Sequence, residues 1–452
     1  MAATATTRTT VKPVKGRLVV ISRAHVRIPS YSSLSAPVSI KKDSLDGKTG
    51  YVYRTGEGYA VVRLVDQGDV TLSVKDTAFY RASRAEKNAW REEALDKMAN
   101  LPWGAGKEHY HGNDPELFAV DEAGVVIPAF AFLPSKEEAK EEDAWPEAES
   151  LYRSRGNFRL TRKMFYDGFQ AEFTSPPSLC FAWAADYIQN GIQSLHNRVR
   201  EFNKKASVTW KPVLDVTREM LDTSPEHCVA LGCDPSKNAY FDGANPMLAN
   251  LDASRLDFRF AGYHIHFGIG NKDPEEYIKI VKQCDAIAGV LSVLVFRGME
   301  DIRRRKYYGL AGEYRTPPHG LEWRTLSSCV LCSPYTFHLM SDLSRMACQL
   351  HLHRLGHLWS ADEGEVQKAI NELDVDLATK IMKDNFKALQ LILRSIYPIG
   401  RMGCNPVKSA LTLIEKGAKE TVDINMPTSW HLNGYWRIHS NDNLSTIYGL
   451  KL

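Results

Sequence analysis

The feature that most constrains this sequence is a set of four apolar, strand-like segments in which ionisable side chains occupy alternate or nearby positions. Side chains two residues apart on a β-strand point to the same face of a sheet, so this spacing gathers the ionisable groups of each segment. Burying several ionisable groups among apolar residues costs free energy unless opposite charges or hydrogen bonds offset it. The four segments are DPELFAVD at 114–121, YDGFQAEFTSPP at 166–177, AGYHIHFGIG at 261–270 and GEYRTPPHGLEWRTLSS at 312–328.

The ionisable residues of these segments predict a metal site that also meets phosphate. Neighbouring carboxylates repel one another when ionised and therefore need a cation between them. Oxygen ligands joined by one imidazole suit Mg²⁺ or Mn²⁺, and nearby arginines would face the phosphate groups that such metals carry. The alternative interpretation is four ordinary amphipathic strands with their polar faces in water. The candidates are Asp114, Glu116, Asp167, Glu172, His264, His266, Glu313, Arg315, Glu322 and Arg324.

Composition places the chain among globular proteins. It has 452 residues, of which 44% are hydrophobic and 25% charged, so a disordered or fibrous chain is excluded. The longest apolar run, Ala286 to Phe296, is too short for a membrane span. The eight cysteines are scattered, which favours reduced thiols and a cytoplasmic location over a disulfide framework.

The chain is predicted to be an α+β protein in three parts. Residues 1–16 form a disordered tail, 17–84 a small antiparallel β-barrel similar to KOW modules, and 85–452 the domain with the four segments. The net charge is +3, and residues 1–42 contain eight Lys or Arg and no acidic residue. This basic head could contact nucleic acid or an acidic protein, or it could be a solvated tail. Helices are expected at 84–110, 177–205, 334–355 and 364–396, and another begins at Asp273 with Pro274 in its first turn.

Two further motifs are left without a catalytic role. The basic run RRRK at 303–306 could reach a nucleotide phosphate, or it could be a solvated charge run. The lone CxxC motif formed by Cys329 and Cys332 lies in an apolar segment and lacks the second pair that a zinc site needs, so it predicts buried thiols.

Taken as an ordered set, the motifs DPELF, DGFQAEF, GCDPSKNAYF (232–241), GYHIHFG and EYRTPPHGLEWRTLS resemble a known superfamily. It is that of the carboxylate–amine ligases, which includes glutamine synthetase and glutamate–cysteine ligase. The resemblance is greatest to the branch found in bacteriophage genomes, COOH-NH2 ligase type 2, and covers about residues 110–330. It implies an antiparallel half-barrel sheet flanked by helices, which holds ATP and divalent metals.

The resemblance also implies roles for the acidic residues. Glu116 and Glu172 resemble metal ligands, with Asp114 and Asp167 beside them as further ligands or water-holders. In one respect the sequence departs from the pattern, because Asp114 stands where glutamine synthetases have the longer Glu. A shorter side chain would reach the metal through water.

The remaining roles fall on the histidine and Glu-x-Arg strands. His264 resembles the metal-binding histidine, and His266 is the next candidate, with a role at the nucleotide. Glu322 resembles the metal ligand of the Glu-x-Arg pair. Arg315 and Arg324 resemble the arginines that contact phosphate and support catalysis.

The activity implied is ATP-dependent formation of an amide or isopeptide bond through an acyl phosphate. The substrates would be a small-molecule or peptide carboxylate and an amine, whose identities the sequence leaves open together with the oligomeric state. A phage-encoded enzyme would work in the host cytoplasm, or be carried in the virion. Two alternatives remain: an inactive ligase fold serving as a phage structural or partner-binding protein, and a phosphotransferase resembling phosphagen kinases.

Overall fold

The computed structural model describes residues 10–14, 17–28, 38–65, 68–99, 110–140, 164–175, 181–229, 236–242, 252–270, 272–397 and 406–432. The chain divides into two compact units. The first comprises residues 1–101, 350–360 and 382–398, and the second comprises residues 102–349, 361–381 and 399–452. The predicted boundary between residues 84 and 85 stays a prediction. Most of the predicted tail at 1–16, and residues 232–235 of the GCDPSKNAYF motif, lie outside the described residues.

Strands and helices alternate irregularly along the chain, as expected for an α+β protein. The strands are β1 (Leu18–Ser22), β2 (His25–Ile28), β3 (Val38–Lys41), β4 (Thr49–Gly56), β5 (Tyr59–Leu64), β6 (Gly68–Ser73), β7 (Ala78–Arg81), β8 (Tyr110–Val120), β9 (Val126–Ile127), β10 (Met164–Asp167), β11 (Gln170–Phe173), β12 (Ser207–Thr209), β13 (Val213–Asp215), β14 (Lys237–Asn238), β15 (Phe258–Phe260), β16 (Tyr263–Gly268), β17 (Glu313–Arg315) and β18 (Leu321–Trp323). The helices are α1 (Arg84–Ala99), α2 (Phe181–Phe202), α3 (Arg218–Thr223), α4 (Glu226–Val229), α5 (Pro274–Cys284), α6 (Val290–Val295), α7 (Ile302–Tyr307), α8 (Pro334–Leu352), α9 (Glu363–Asn371), α10 (Val375–Asp384), α11 (Phe386–Ile396), α12 (Pro406–Lys416), α13 (Ala418–Thr421) and α14 (Met426–Ser429).

The first unit is built on an antiparallel sheet in the order β3-β2-β6-β5-β4-β1-β7. Its buried face is apolar and includes Val19, Ile21, Val52, Val62 and Leu72. Between the described strands the pairing is an open path with β3 and β7 at its ends, so a closed barrel is not confirmed. In β5 the buried residues Ala60, Val62 and Leu64 alternate, as expected for a strand with one face toward the core, whereas the apolar run of β1 is buried from Leu18 to Ile21.

The second unit contains the four segments that the sequence analysis singled out. Its main sheet has the order β10-β11-β8-β16-β18-β17-β14, with β9 and β12 also paired to β8. All of its recorded pairings are antiparallel, including those that join β8 to β11 and to β16. Mixed helix and antiparallel sheet are therefore confirmed, whereas the half-barrel shape stays a prediction.

Helix boundaries follow local signals where those are strong. The side chain of Asp273 accepts a hydrogen bond from Glu275 N–H and Pro274 occupies the first turn, so α5 begins where the sequence predicts. The region expected to be helical at 364–396 instead contains α9, α10 and α11. Leu373, which separates the first two, has φ of +54°, a left-handed conformation that interrupts a helix. Among the described residues, no helix combines the length and apolarity that crossing a bilayer requires.

Candidate functional site

The strand register of the second unit places the predicted site residues opposite one another on adjacent strands. Glu172 on β11 lies opposite Glu116 on β8, and Asp114 on β8 lies opposite His264 on β16. Further along the sheet, Glu322 on β18 lies opposite His266 on β16 and opposite Arg315 on β17. Cross-strand partners share a face of the sheet, so residues from five strands line one surface.

Three carboxylates converge on this surface. Oxygen atoms of Glu116, Asp167 and Glu172 all lie within 4.8 Å of one another. Burial first, and then the negative charge of Asp167, raises the pKa of Glu116 to about 7. Burial and the surrounding carboxylates raise the pKa of Glu172 well above its usual range. A divalent cation would offset both effects, and three hard oxygen ligands in this proximity fit Mg²⁺ or Mn²⁺.

Asp167 reaches the cluster because of a tight turn. Asp167 and Gln170 pair at the end of the β10–β11 hairpin, and Gly168 within the turn has φ of +65°. An Asp-Gly pair at such a position is a strong local signal for a hairpin, because glycine adopts positive φ without steric cost. The turn therefore sets Asp167 beside Glu172 of the returning strand.

Glu116 is completely buried and is held by two donors that the sequence analysis did not assign. Gly262 N–H donates to Glu116 Oε2 at 2.5 Å, and the hydroxyl of Tyr308 donates to Glu116 Oε1 at 2.8 Å. A Cβ atom on Gly262 would lie 2.8 Å from Tyr308 Cε1 and 2.9 Å from His264 Nε2. Only glycine leaves room for the three side chains to meet here.

His264 lies between two of the predicted acidic ligands. Its Nε2 atom is 3.6 Å from Glu116 Oε1, and its Nδ1 atom is 3.4 Å from Glu322 Oε1. Burial, and then the positive charge of Arg324, lowers the pKa of His264 well below its usual range. The ring is therefore neutral, which is the form of imidazole that binds metals.

The Tyr308 hydroxyl indicates which nitrogen of His264 carries the proton. It lies 2.5 Å from His264 Nε2 while it donates to Glu116, so the imidazole donates through Nε2. His264 Nδ1 is then an acceptor, and Arg324 Nη1 lies 3.4 Å from it. The acceptor nitrogen thus faces the side of the sheet where Glu322 and Arg324 lie.

Glu322 and Arg324 form a buried ion pair at the end of β18. Arg324 Nη1 donates to Glu322 Oε1, and Arg324 Nη2 donates to the Tyr308 hydroxyl at 2.9 Å. The guanidinium is 1% exposed, so this positive charge acts in a medium that screens it weakly. Arg315 lies opposite Glu322 on β17 and is only half-buried.

Asp114 and His266 form a second ion pair near the rim of the site. His266 Nε2 lies 2.8 Å from Asp114 Oδ2, and His266 Nδ1 lies 2.9 Å from His319 Nε2. Burial lowers the pKa of His266, but the charge of Asp114, the hydrogen bond to it and the charge of Glu322 together raise the pKa overall. The same pairing lowers the pKa of Asp114 in spite of burial. Asp114 Oδ1 is buried and has no hydrogen-bond partner among the described residues.

Two residues of the RRRK run, Arg304 and Arg305, are buried and have a structural role, whereas Lys306 is exposed, as expected for a solvated charge run. Arg304 is fully buried and donates to the carbonyl oxygens of Ala261, Thr325 and Leu326. Its guanidinium also lies 5.0 Å from the centre of the Tyr308 ring. Arg304 therefore holds the backbone beside Gly262 and the end of β18 in the positions that the site requires.

Asp285 is a second positioning group that the sequence did not reveal. It is fully buried at the end of α5 and accepts hydrogen bonds from Trp323 Nε1 at 2.9 Å and Thr325 Oγ1 at 2.8 Å. It also accepts one from the N–H of Gly312, and burial raises its pKa to about 7. These contacts join the two strands that carry Glu322 and Arg315.

Each of the ten candidate residues lies on a strand of the main sheet or directly after one, but their ligand and phosphate roles stay predictions. Tyr308, Gly262, His319, Arg304 and Asp285 were not assigned to the site. The only sequence signal for Tyr308 is its place just after the RRRK run, and nothing local identifies it as a partner of Glu116. Cys329 and Cys332 are buried free thiols, as expected.

A comparison with known protein families gives a match at residues 255–427. This stretch matches the family described as phage phiEco32-like COOH.NH2 ligase-type 2. It includes the histidine and Glu-x-Arg segments, whereas the segments with Glu116 and Glu172 precede it. No curated protein matches the chain.

Several solved structures are similar to parts of the chain. A bifunctional glutathione synthetase from Pasteurella multocida aligns with 13% identity and a TM-score of 0.39 over 75% of this chain and 52% of that one. The chain thus spans about half the length of that protein. A novel glutamine synthase homolog aligns with 13% identity and a TM-score of 0.27, over 86% of this chain and 82% of that one. Apo GmaS without ligand aligns with 11% identity and a TM-score of 0.33, over 87% and 93%.

The matched stretch begins before β16 and ends after α13. The match confirms the resemblance that the ordered motifs indicate, since residues 255–427 are similar to the phage phiEco32-like COOH.NH2 ligase-type 2 family.

Proposed function

We propose that this protein is an ATP-dependent carboxylate–amine ligase that forms an amide or isopeptide bond through an acyl phosphate. The observation that carries the proposal is the convergence of Glu116, Asp167 and Glu172 beside the buried positive charge of Arg324. Three carboxylates within 4.8 Å are unfavourable without a cation, and the family match supports ligation as the reaction.

Glu116, Asp167 and Glu172 would hold Mg²⁺ or Mn²⁺, with Asp114, His264 and Glu322 as further ligands. The orphaned Oδ1 atom of Asp114 and the acceptor nitrogen of neutral His264 fit this role. A metal held there would supply positive charge that offsets the negative charge of the phosphate groups. The chain supplies the hydrogen bonds from Gly262 and Tyr308 that fix the orientation of Glu116.

The reaction balances in two displacements. A carboxylate oxygen of the first substrate attacks the γ-phosphorus of ATP, and the bond to the β-phosphate oxygen breaks to release ADP. An amine nitrogen then attacks the acyl carbon, loses a proton, and expels inorganic phosphate. Arg315 and Arg324 would stabilise the charge that accumulates on the transferred phosphoryl group, since guanidinium groups match phosphate oxygens in geometry.

Positioning and electrostatics would account for most of the rate enhancement. Arg324 is held by Glu322 and by the Tyr308 hydroxyl, so its charge needs little reorganisation during the reaction. His266, ion-paired to Asp114 at the half-buried rim, would contact the nucleotide. No residue of the chain needs to form a covalent bond with either substrate.

The test is ADP release by the purified chain with ATP and Mg²⁺ or Mn²⁺, with pooled carboxylates and amines, followed by mass spectrometry of the products. Glu116→Gln keeps the size of the side chain but removes a charge, and we expect it to reduce turnover by about 100-fold or more. Glu122→Gln is the matched control, because Glu122 is an exposed carboxylate paired with Lys205. We expect it to retain wild-type turnover.

The products separate this proposal from its alternatives. A product whose mass equals the sum of carboxylate and amine less one water establishes the ligase. A phosphorylated product that does not react with amines would indicate a phosphotransferase instead. Equal turnover in Glu116→Gln and wild type would refute the site assignment, and absence of ATP binding would favour an inactive fold.

The family's name supports a further part of the proposal, that the chain is phage-encoded and acts in the host cytoplasm. Mass spectrometry of purified virions and of infected-cell lysate tests it. Presence in the lysate alone supports an enzyme of the infected cell, whereas enrichment in virions would indicate a structural component.

A further inference from the structure

The first unit contains a cavity with an unusual distribution of charge. Its volume is about 490 Å³, and none of the described residues that line it carries a carboxylate. Like charges that face one cavity repel one another, and an anion bound between them relieves the repulsion. Six of the twelve lining residues are cationic: Lys12, Arg17, Arg81, Lys87, Lys387 and Arg394.

The cationic side chains converge from separate elements of the first unit. Lys387, Leu391 and Arg394 are spaced along α11 so that they share one face, and Lys87 and Trp90 share a face of α1. Arg81 ends β7, and Lys12 and Arg17 precede β1. Clustering of six positive charges from four parts of the chain is a property of the fold, because the sequence separates residues 12–17, 81–87 and 387–394 widely.

Apolar residues also line the cavity. Leu18, Val19 and Leu391 are among them and are buried. Lys387 Nζ lies 4.6 Å from the centre of the Tyr51 ring, so one of the cations is held against an aromatic face. Buried apolar neighbours reduce the screening of the charge interaction between the cations and a bound anion.

Trp90 supplies an independent observation. It lines the cavity and is 7% exposed, and its indole N–H finds no acceptor among the residues that the structure describes. A buried donor without a partner costs free energy that a bound acceptor would recover. Phosphate oxygens are acceptors, so the same ligand would satisfy both the cations and the indole.

We propose that this basic cavity binds a compact linear polyphosphate, either inorganic or as the phosphate chain of a nucleoside triphosphate. The volume is within the range of small-ligand sites. Three arginines favour phosphate, because the planar guanidinium group donates two parallel hydrogen bonds to phosphate oxygens. The site lies wholly within the first unit and is independent of the proposed ligase chemistry.

The experiment measures binding of tripolyphosphate to the full chain by titration calorimetry in EDTA. Arg81 and Lys87 contribute to the cavity from different elements, so we expect Arg81→Glu and Lys87→Glu each to weaken binding by about ten-fold or more. Lys75→Glu makes the same change of charge at an exposed position of the first unit outside the cavity. We expect it to leave the affinity within about two-fold of wild type, since exposed charges at a distance are screened.

Trp90 provides a second, optical readout. Tripolyphosphate should change the intrinsic fluorescence of wild type, and Trp90→Phe should remove most of that change while binding persists. Equal weakening by Lys75→Glu and Arg81→Glu would overturn the proposal, because it would indicate general charge attraction. A fluorescence change that persists in Trp90→Phe would place the ligand elsewhere and would also overturn it.

Two further ligands identify the occupant. Affinity for ATP that exceeds that for tripolyphosphate, and that falls in Arg81→Glu, supports a nucleoside triphosphate, and equal affinity supports the inorganic form. A single-stranded oligonucleotide that binds more tightly than either, with the same dependence on Arg81, would contradict a compact ligand in favour of nucleic acid. Failure of ligation in the Glu116→Gln assay has no bearing on this result, so the two proposals fail separately.

Discussion

The two antiparallel sheets of this protein bury different kinds of side chain. The sheet of the first unit covers an apolar cluster that includes Ile21, Val52 and Leu72. The main sheet of the second unit buries Glu116, His264 and Arg324 at an exposure of 2% or less. Both sheets are antiparallel and strand-rich, so secondary structure alone does not distinguish their roles.

The difference shows which sheet bears a cost in stability from buried ionisable groups. Burial of an apolar side chain stabilises the fold by about 1.5–3 kcal/mol, whereas burial of an ionised group is unfavourable unless it is paired. In the second unit the raised pKa of Glu116 and the lowered pKa of His264 both record that cost. Burial disfavours the ionised form of Glu116, and a cation bound beside it would offset that cost.

The largest expected effect tests the apolar side of the comparison. Ile21 is fully buried on β1, and Ile21→Ala should lower the free energy of unfolding of the first unit by about 2–5 kcal/mol, because it leaves a cavity. Ile40→Ala is the matched control, since Ile40 is 50% exposed on β3. Urea unfolding should show a change of about 0.5 kcal/mol or less for it. Similar losses in the two variants would contradict an apolar core at Ile21.

The next effect concerns pH and the ionised side of the comparison. The pKa of Glu116 is raised from 4.5 to about 7, so the folded chain holds this proton more tightly than the unfolded chain. Its stabilising contribution is therefore fully present below pH 4.5 and is lost as pH rises to 7, by up to about 3 kcal/mol. Unfolding of wild type and Glu116→Gln in EDTA at pH 5 and pH 8 measures it.

Comparison of wild type with Glu116→Gln separates the effect of the Glu116 carboxyl group on stability from that of other titrating groups. His264, whose pKa is lowered, acts in the opposite direction in both proteins. Wild type should lose stability relative to Glu116→Gln between pH 5 and pH 8, and Mg²⁺ or Mn²⁺ should restore it at pH 8. Parallel pH curves for the two proteins would show that Glu116 is not perturbed.

The smallest expected effect sharpens the comparison within one sheet. Gly262→Ala places a Cβ atom 2.8 Å from Tyr308 and 2.9 Å from His264, and should cost about 1–3 kcal/mol through overpacking. Gly112→Ala on β8 is the control, because its Cβ would lie at an ordinary 3.5 Å from His266. Thermal unfolding and ADP release should both fall for Gly262→Ala and change little for Gly112→Ala. Equal behaviour of the two variants would contradict close packing at Gly262.

Much of the site could be predicted from local pattern. Alternation in DPELF and GYHIHFG correctly indicated strands, because a period of two residues matches the pleat. Asp273 and Pro274 indicated the start of α5, whereas the segment at 166–177, taken as a single strand, divides into β10 and β11 at a turn. Each of these signals involves only a few neighbouring residues, so it can be recognised in the amino-acid sequence.

Other features required long-range contacts. Gly262 reaches Glu116 across 146 residues of chain, and Tyr308 reaches it across 192. Nothing near Tyr308 in sequence marks it as a hydrogen-bond donor to a buried carboxylate. Likewise, Arg304 and Arg305 form part of a basic run, and only the fold buries both on backbone carbonyl groups.

Local pattern indicates that the residues of β8 and β16 lie on strands and which of them share a face, because backbone geometry fixes side-chain direction over short distances. Which strands are neighbours, and in what register, depends on the packing of the whole chain. The tertiary structure therefore decided that Glu172 lies opposite Glu116, that His264 lies between two carboxylates, and that six cations of the first unit surround one cavity. The physical reason is that a period-two pattern is satisfied by many pairings, and only packing of the whole chain selects one of them.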